Sequence, residues 1–157
     1  MERIYLETII NAPIERVFDL ARSIDLHKLS ALNTNEKAIA GKTSGLINEG
    51  ETVTWRAKHL GIYQILTVQI TKLERPYFFE DKMVKGAFSR MEHVHKFESL
   101  MNQTKMLDVF EFESPFGILG KFVNRLFLKQ YMTDFLLTRN KELKKIAESE
   151  AWKELLK

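Results

Sequence analysis

Apolar and polar positions change their rhythm three times along the chain, and each change predicts a new kind of element. The opening run Arg3-Ile4-Tyr5-Leu6-Glu7-Thr8-Ile9-Ile10 is rich in β-branched and aromatic residues and holds no breaker, which predicts a strand. Asn11-Ala12-Pro13 ends it. Pro13 suits the first turn of a helix, and Ile14, Val17, Phe18 and Ala21 follow at helical spacing. Ser23 can cap a second short helix over Ile24 to Leu32, because its hydroxyl accepts from a free first-turn amide. From Glu36 to Glu113 short runs of Val, Ile, Thr, Tyr and Phe alternate with turn-forming residues at Gly41 to Gly50, His59-Leu60-Gly61, Arg75-Pro76, Gly86 to Ser89 and Met101 to Gln103. Six antiparallel strands fit between those breaks. Beyond Ser114-Pro115-Phe116-Gly117 there is no proline, and Phe122, Leu126, Phe127, Met132, Phe135, Leu136, Leu143 and Ile146 recur at three- and four-residue spacing, predicting one long helix.

A sheet with one apolar face must cover it, and only one long helix is available. The expected architecture is therefore α+β: a curved seven-stranded antiparallel sheet wrapped around a long C-terminal helix, with two short helices after the first strand. Residues 1–150 are expected to form a single domain, with 151–157 a tail able to fray. Where one helix cannot meet the whole curved face, a cavity is expected. Its mouth should lie among the turns at Gly86 to Ser89 and His59 to Gly61 and the helix entry at Ser114 to Gly120.

Composition narrows the picture. The 157 residues include no cysteine, which excludes disulfides and thiolate metal sites. The formal net charge of +3 comes from bases interleaved with acids, so no nucleic-acid footprint is expected. The longest apolar stretch free of charge, His59 to Thr71, falls well short of the roughly 20 residues a membrane-spanning helix needs, and no stable membrane insertion is expected. Met1 to Tyr5 carries an acid and lacks the apolar core of a signal peptide, giving a cytoplasmic expectation.

The segment Ile9-Ile10-Asn11-Ala12-Pro13-Ile14-Glu15-Arg16-Val17-Phe18-Asp19 resembles the opening of the START-like (SRPBCC) superfamily, which includes polyketide cyclase/dehydrase and lipid-transport proteins. The later strand order and the closing helix are similar to its helix-grip architecture. Phe79 to Met83, His93 to Phe97 and Leu136 to Asn140 further resemble uncharacterised bacterial members. The resemblance implies a cavity for a small, largely apolar molecule, but its members divide into carriers, sensors and enzymes; no cofactor is expected. Fold does not choose among them.

The period of two along each strand says which side chains face the helix. It places Met91, His93, His95 and Phe97 together, then Phe79, Asp81 and Met83, and, on a weaker alternation, Met106, Asp108, Phe110 and Phe112. Trp55 and Gln64 are further inward candidates with Val53, Leu66, Val68 and Ile70, faced from the helix by Phe122, Leu126, Met132 and Phe135. Histidines and aspartates on a concave apolar face are costly unless paired. They can form a satisfied network in the cavity wall, the polar end of a ligand pocket, or a catalytic or metal site; His93 and His95 share a face as metal ligands do, but no metal is expected. The set Arg139, Lys141, Glu142, Lys144, Lys145 and Glu148 reads as a solvated helix face. The leading functional reading is a non-catalytic carrier or sensor of a small apolar or amphipathic molecule. The alternatives are a cyclase- or hydrolase-type enzyme with Asp81 or a histidine as general base, and an interaction domain whose core is filled.

Overall fold

The computed structural model describes residues 1–114 and 118–157, the side chains of 118–124 excepted. Strand β1 (Glu2–Ile10) leads into α1 (Ile14–Ala21) and α2 (Ile24–Ser30); strands β2 (Lys37–Gly41), β3 (Thr52–His59), β4 (Ile62–Glu74), β5 (Phe78–Lys85), β6 (Arg90–Leu100) and β7 (Gln103–Glu113) follow, then α3 (Ile118–Ala147) and a short α4 (Trp152–Leu155). The strands form one antiparallel sheet in the order β1-β7-β6-β5-β4-β3-β2. This is the helix-grip fold the element order predicts.

Local chemistry accounts for the boundaries. Ser23 caps α2 as its hydroxyl accepts from the Leu26 amide at 3.2 Å. Gly41 ends β2 at φ +73°, where a Cβ would stand 2.2 Å from the Thr52 carbonyl oxygen, so only glycine lets the two backbones approach. Register shifts between Thr67 and Val68 and between Ile70 and Lys72 interrupt the β4–β5 pairing. Such irregularities bend a strand locally and increase its twist.

The helix lies against β1, α1 and α2 more closely than against the middle strands. Its C-terminal end is tied down from several directions. Lys144 Nζ donates to the Ile9 carbonyl at 2.6 Å, the Asn11 amide donates to Glu148 Oε1 at 2.7 Å, and Arg16 donates to the Ala147 carbonyl at 3.1 Å. Lys144 and Glu148 are thus not merely solvated, as the sequence suggests, but clamp the β1–α1 junction. The segment 151–157, expected as a tail able to fray, turns back as α4, with the Arg16 guanidinium 4.1 Å from the Trp152 ring centre and Trp152, Leu155 and Leu156 packed against the core. The cation–π contact and the apolar side chains supply what holds it.

Candidate functional site

Standing off from the middle strands, α3 leaves a cavity of about 360 Å³ between itself and the concave face of the sheet. The wall is mainly apolar. Val53, Trp55, Leu66, Val68, Ile70, Phe79, Met91 and Phe110 line it from the sheet, Ile24 and Ile47 close it from the α1–α2 side, and Leu128, Met132, Phe135 and Leu136 line it from the helix. Leu60, Ile65 and Phe127 both line the cavity and are exposed, and they mark its rim. Ala87 and Phe88 from the β5–β6 turn and His59 and Leu60 from the β3–β4 turn also line it, on the two turns where a mouth is expected. Of the third expected segment, residues 115–117 and the side chains of 118–120 lie outside the described residues.

Strand parity brings the polar residues to this wall. On β6, Met91, His93, His95 and Phe97 are all buried; on β7 the same is true of Thr104, Met106, Asp108, Phe110 and Phe112. Asp81 pairs in register with His93, and Asp108 with His95. The result is one connected chain of hydrogen bonds. His93 Nε2 lies 2.9 Å from Asp108 Oδ1, His95 Nδ1 lies 3.1 Å from the same oxygen, and His95 Nε2 lies 3.1 Å from Asp81 Oδ2, the diagonal neighbour across the sheet. Asn140 on α3 donates to Asp108 Oδ2 at 2.7 Å, tying helix to sheet through the same carboxylate.

Burial and hydrogen bonding decide the charge states. Burial pushes the Asp108 carboxyl up, but the bonds from His93 and His95 outweigh it and hold it well below the ordinary aspartate value; Asp81, with burial opposed by the His95 bond, is also held below. Both are carboxylates and can only accept. His95 faces one of them with each ring nitrogen, so both nitrogens carry hydrogen: burial disfavours this imidazolium, yet the two carboxylates raise its pKa above the usual value. His93, 3.8 Å away ring to ring, takes the opposite state. Burial and the neighbouring His95 charge lower its pKa to about 4. It is neutral at pH 7, donates from Nε2 to Asp108, and keeps Nδ1 as an acceptor, since its ring lines the cavity.

Donor atoms of Asp81, His93 and His95 lie within 4.8 Å of one another, a spacing that suits a metal ion. In this arrangement, however, His95 gives both nitrogens as hydrogen donors to carboxylates and has no lone pair to offer. A ligand to metal must be the neutral imidazole.

A second polar group stands at the α2 side. His27 stacks on Trp55 with ring centres 4.2 Å apart and places Nε2 2.5 Å from Glu36 Oε1. Burial raises the Glu36 carboxyl, but His27, Arg139 and His59 together bring it below the usual glutamate value. His59 Nδ1 lies 2.7 Å from the Tyr131 hydroxyl, and burial lowers its pKa despite the pull of Glu36.

Among the residues picked out by sequence, Trp55, Gln64, Phe79, Asp81, Met91, His93 and Phe135 line the cavity. His95 and Asp108 stand behind the wall as the support of His93 and Asp81. Phe97 and Met106 are core, Phe97 packing edge-on to Phe18 with ring centres 5.2 Å apart. Met83 is half-buried and turned to the β5–β6 turn, where a Cβ on Gly86 would lie 2.8 Å from its sulfur. Leu126, expected to face the sheet, is instead 79% exposed, because the rotation of α3 about its axis points 128, 132 and 136 inward and 126 outward. The Phe122 side chain lies outside the described residues. Sequence reading missed Arg22, His27 and Glu36, which reach the cavity from α1, α2 and the segment before β2, and Tyr131. It also placed Arg139 on a solvated face, whereas Arg139 is half-buried and lines the cavity. The signal was there: Arg139 follows Phe135 by four residues and Tyr131 by eight, on one helix stripe.

The network predicts a coupled response to mutation. Asp81→Asn and His93→Ala, made singly and together and followed by urea unfolding, are expected to cost less in combination than the sum of the singles, by about 0.5–3 kcal/mol, because both act through His95 and Asp108. Simple additivity contradicts the linkage.

No protein-family model and no curated protein matches the chain. Solved structures do share its fold. TTHA0849 from Thermus thermophilus superposes with a TM-score of 0.75 at 18% identity, covering 92% of this chain and 95% of the other. CV1439 from Chromobacterium violaceum gives 0.70 at 14% identity, over 96% and 100%. The major latex-like protein 151 of Panax ginseng gives 0.67 at 13% identity, over 94% and 98%. These structures share the helix-grip fold, and this chain has that fold too.

Proposed function

We propose that this START-like helix-grip domain, residues 1–150 with the α4 segment as its clasp, binds a small hydrophobic or amphipathic molecule in the cavity between sheet and α3, as a carrier or sensor. The cavity itself carries this reading. Its volume of about 360 Å³ lies in the roughly 300–1,000 Å³ range of small-molecule pockets, and its wall is apolar with a few convergent polar groups. No helix among the described residues is long and apolar enough to cross a membrane. Trp55, Phe79, Met91 and Phe135 are the apolar contacts in this reading, and Gln64, Asp81 and His93 the polar ones.

The enzyme alternative needs a base of the right strength. A general base works best with a pKa near the working pH. Burial and the His95 charge hold His93 at about 4, and Asp81 is also depressed, so both serve better as hydrogen-bond acceptors than as proton acceptors.

The test is ligand-dependent stability. A broad panel of apolar dyes and fatty acids should contain members that raise the melting temperature with the logarithm of their concentration. At one hundred times Kd the stabilisation is about 2.7 kcal/mol, or about 5–10 °C for a chain of this length. A panel with no shift at all would return the cavity to the filled-core reading, and native mass spectrometry of protein from its own host would then show no co-purifying small molecule.

A further inference from the structure

Asp81, Glu36 and Arg139 all line the cavity, and the Arg139 charge acts on both acids, each of which has an imidazole beside it. Asp81 is bonded to the His95 imidazolium, and Glu36 Oε1 lies 2.5 Å from His27 Nε2, a close contact outside hydrogen-bond geometry. Arg22, the other guanidinium in the wall, is held by Asp19, Asn48 and the Ile47 carbonyl. Arg139 differs. Among the described residues it makes no ion pair within 4.0 Å, and its one hydrogen bond is a long 3.5 Å contact to the Ala21 carbonyl. A half-buried guanidinium in an apolar chamber, with most of its donors unspent, is poised for an anion.

Its place on α3 says what kind. Phe127, Tyr131, Phe135 and Arg139 recur every four residues and all line the cavity, so they form one stripe running from the exposed rim at Phe127 to the cation. Twelve residues of α-helix rise about 18 Å. The stripe is aromatic along its length and cationic at its inner end. We propose, as a refinement resting on the ligand-binding reading above, that the ligand is an amphipathic monocarboxylic acid whose carboxylate takes the Arg139 fork while its apolar body lies along Phe135 and Tyr131 towards the rim. Carboxylate and guanidinium match as a planar two-bond pair, which an ammonium or a hydroxyl does not reproduce. The carboxylates of Asp81 and Glu36 have His95 and His27 beside them, and His93, whose ring lines the cavity, can hydrogen-bond a hydroxyl elsewhere on the ligand.

Decanoate, decanol and decylamine, each below its aggregation threshold, separate the head from the tail. Binding to the full-length protein is measured by calorimetry at pH 7.5. Decanoate should bind at least about tenfold more tightly than decanol, with decylamine weakest, since a charge-assisted pair in a dry site is worth one or more such factors. Arg139→Gln should bring decanoate to within about twofold of decanol; Arg139→Lys, which keeps the charge but loses the fork, should fall between. Equal binding of acid and alcohol by the wild-type protein, or an acid preference that survives Arg139→Gln, overturns the carboxylate assignment while leaving the cavity reading intact. Failure of all three probes to bind overturns the carboxylate assignment, and the broad panel above then decides the cavity reading. The wild-type ratio decides the matter even if the glutamine variant does not fold.

Discussion

Replacing Asp108 with alanine is expected to lower the free energy of unfolding by about 3–5 kcal/mol, the usual loss when one partner of a buried ion pair is removed. Asp108 is 2% exposed and accepts from His93, His95 and Asn140. Its removal leaves His93 Nε2 and His95 Nδ1 without an acceptor, leaves Asn140 only its long 3.5 Å bond to Thr8, and deprives the His95 imidazolium of one of two carboxylates. It also cuts the bond by which α3 is fixed to β7. With a typical domain stability of roughly 5–15 kcal/mol, the variant should still fold but with a greatly reduced urea midpoint. Glu111→Ala, which removes a surface ion pair with Arg3, is the control and should cost roughly 1 kcal/mol or less. A loss of under 1 kcal/mol for Asp108→Ala would mean that the carboxylate is not the hub of the network.

The second large effect is on the pH dependence of stability. His93 is held at about 4 in the folded protein by burial and the His95 charge, against about 6.5 when unfolded. Between those values the unfolded chain binds a proton that the folded chain refuses. Stability therefore falls as pH drops from 6.5 to 4, by about 3 kcal/mol from this residue. His59, lowered by burial, acts in the same direction. His95 acts in the other. Its folded pKa is raised by Asp108 and Asp81, so its contribution is complete below 6.5 and is lost as pH rises through the folded value. Asp108 and Asp81, both depressed, stabilise above their ordinary range and lose that contribution as pH falls below it. The sum is a maximum near pH 6.5. Urea unfolding at pH 4.5, 6.5 and 9 reads the two limbs, and His93→Gln, whose amide can still donate to Asp108 but does not titrate, should flatten the acid limb. An unchanged slope from pH 4.5 to 6.5 in that variant would contradict the neutral buried state of His93.

Both effects rest on residues that strand periodicity already places together. Alternation is a local property: once β6 is recognised as a strand, His93 and His95 must share a face, and the β5–β6 register then sets Asp81 opposite His93 on that face. The order of the elements likewise determines the architecture, since seven strands and one long helix have few ways to bury the apolar face of a sheet. The Ser23 cap and the break at Gly41 were legible for the same local reason.

What depends on distant contacts was not. The weaker alternation of β7 left Asp108 uncertain until its pairing with β6 set it opposite His95. A helix has no such parity. Apolar residues occur around much of α3, and only its seating on β1, α1 and α2 selects the stripe that turns inward, sending Leu126 to solvent and Arg139 to the cavity. His27 and Glu36 reach the wall because α2 and the segment after it close over the sheet, a packing their own sequence does not encode. Sequence by itself determined the fold and the polar face of the sheet, because both follow from periodicity and element order. The tertiary structure alone decided which guanidinium faces the cavity with no ion-pair partner among the described residues, because that depends on how one helix is rotated against elements far from it in the chain.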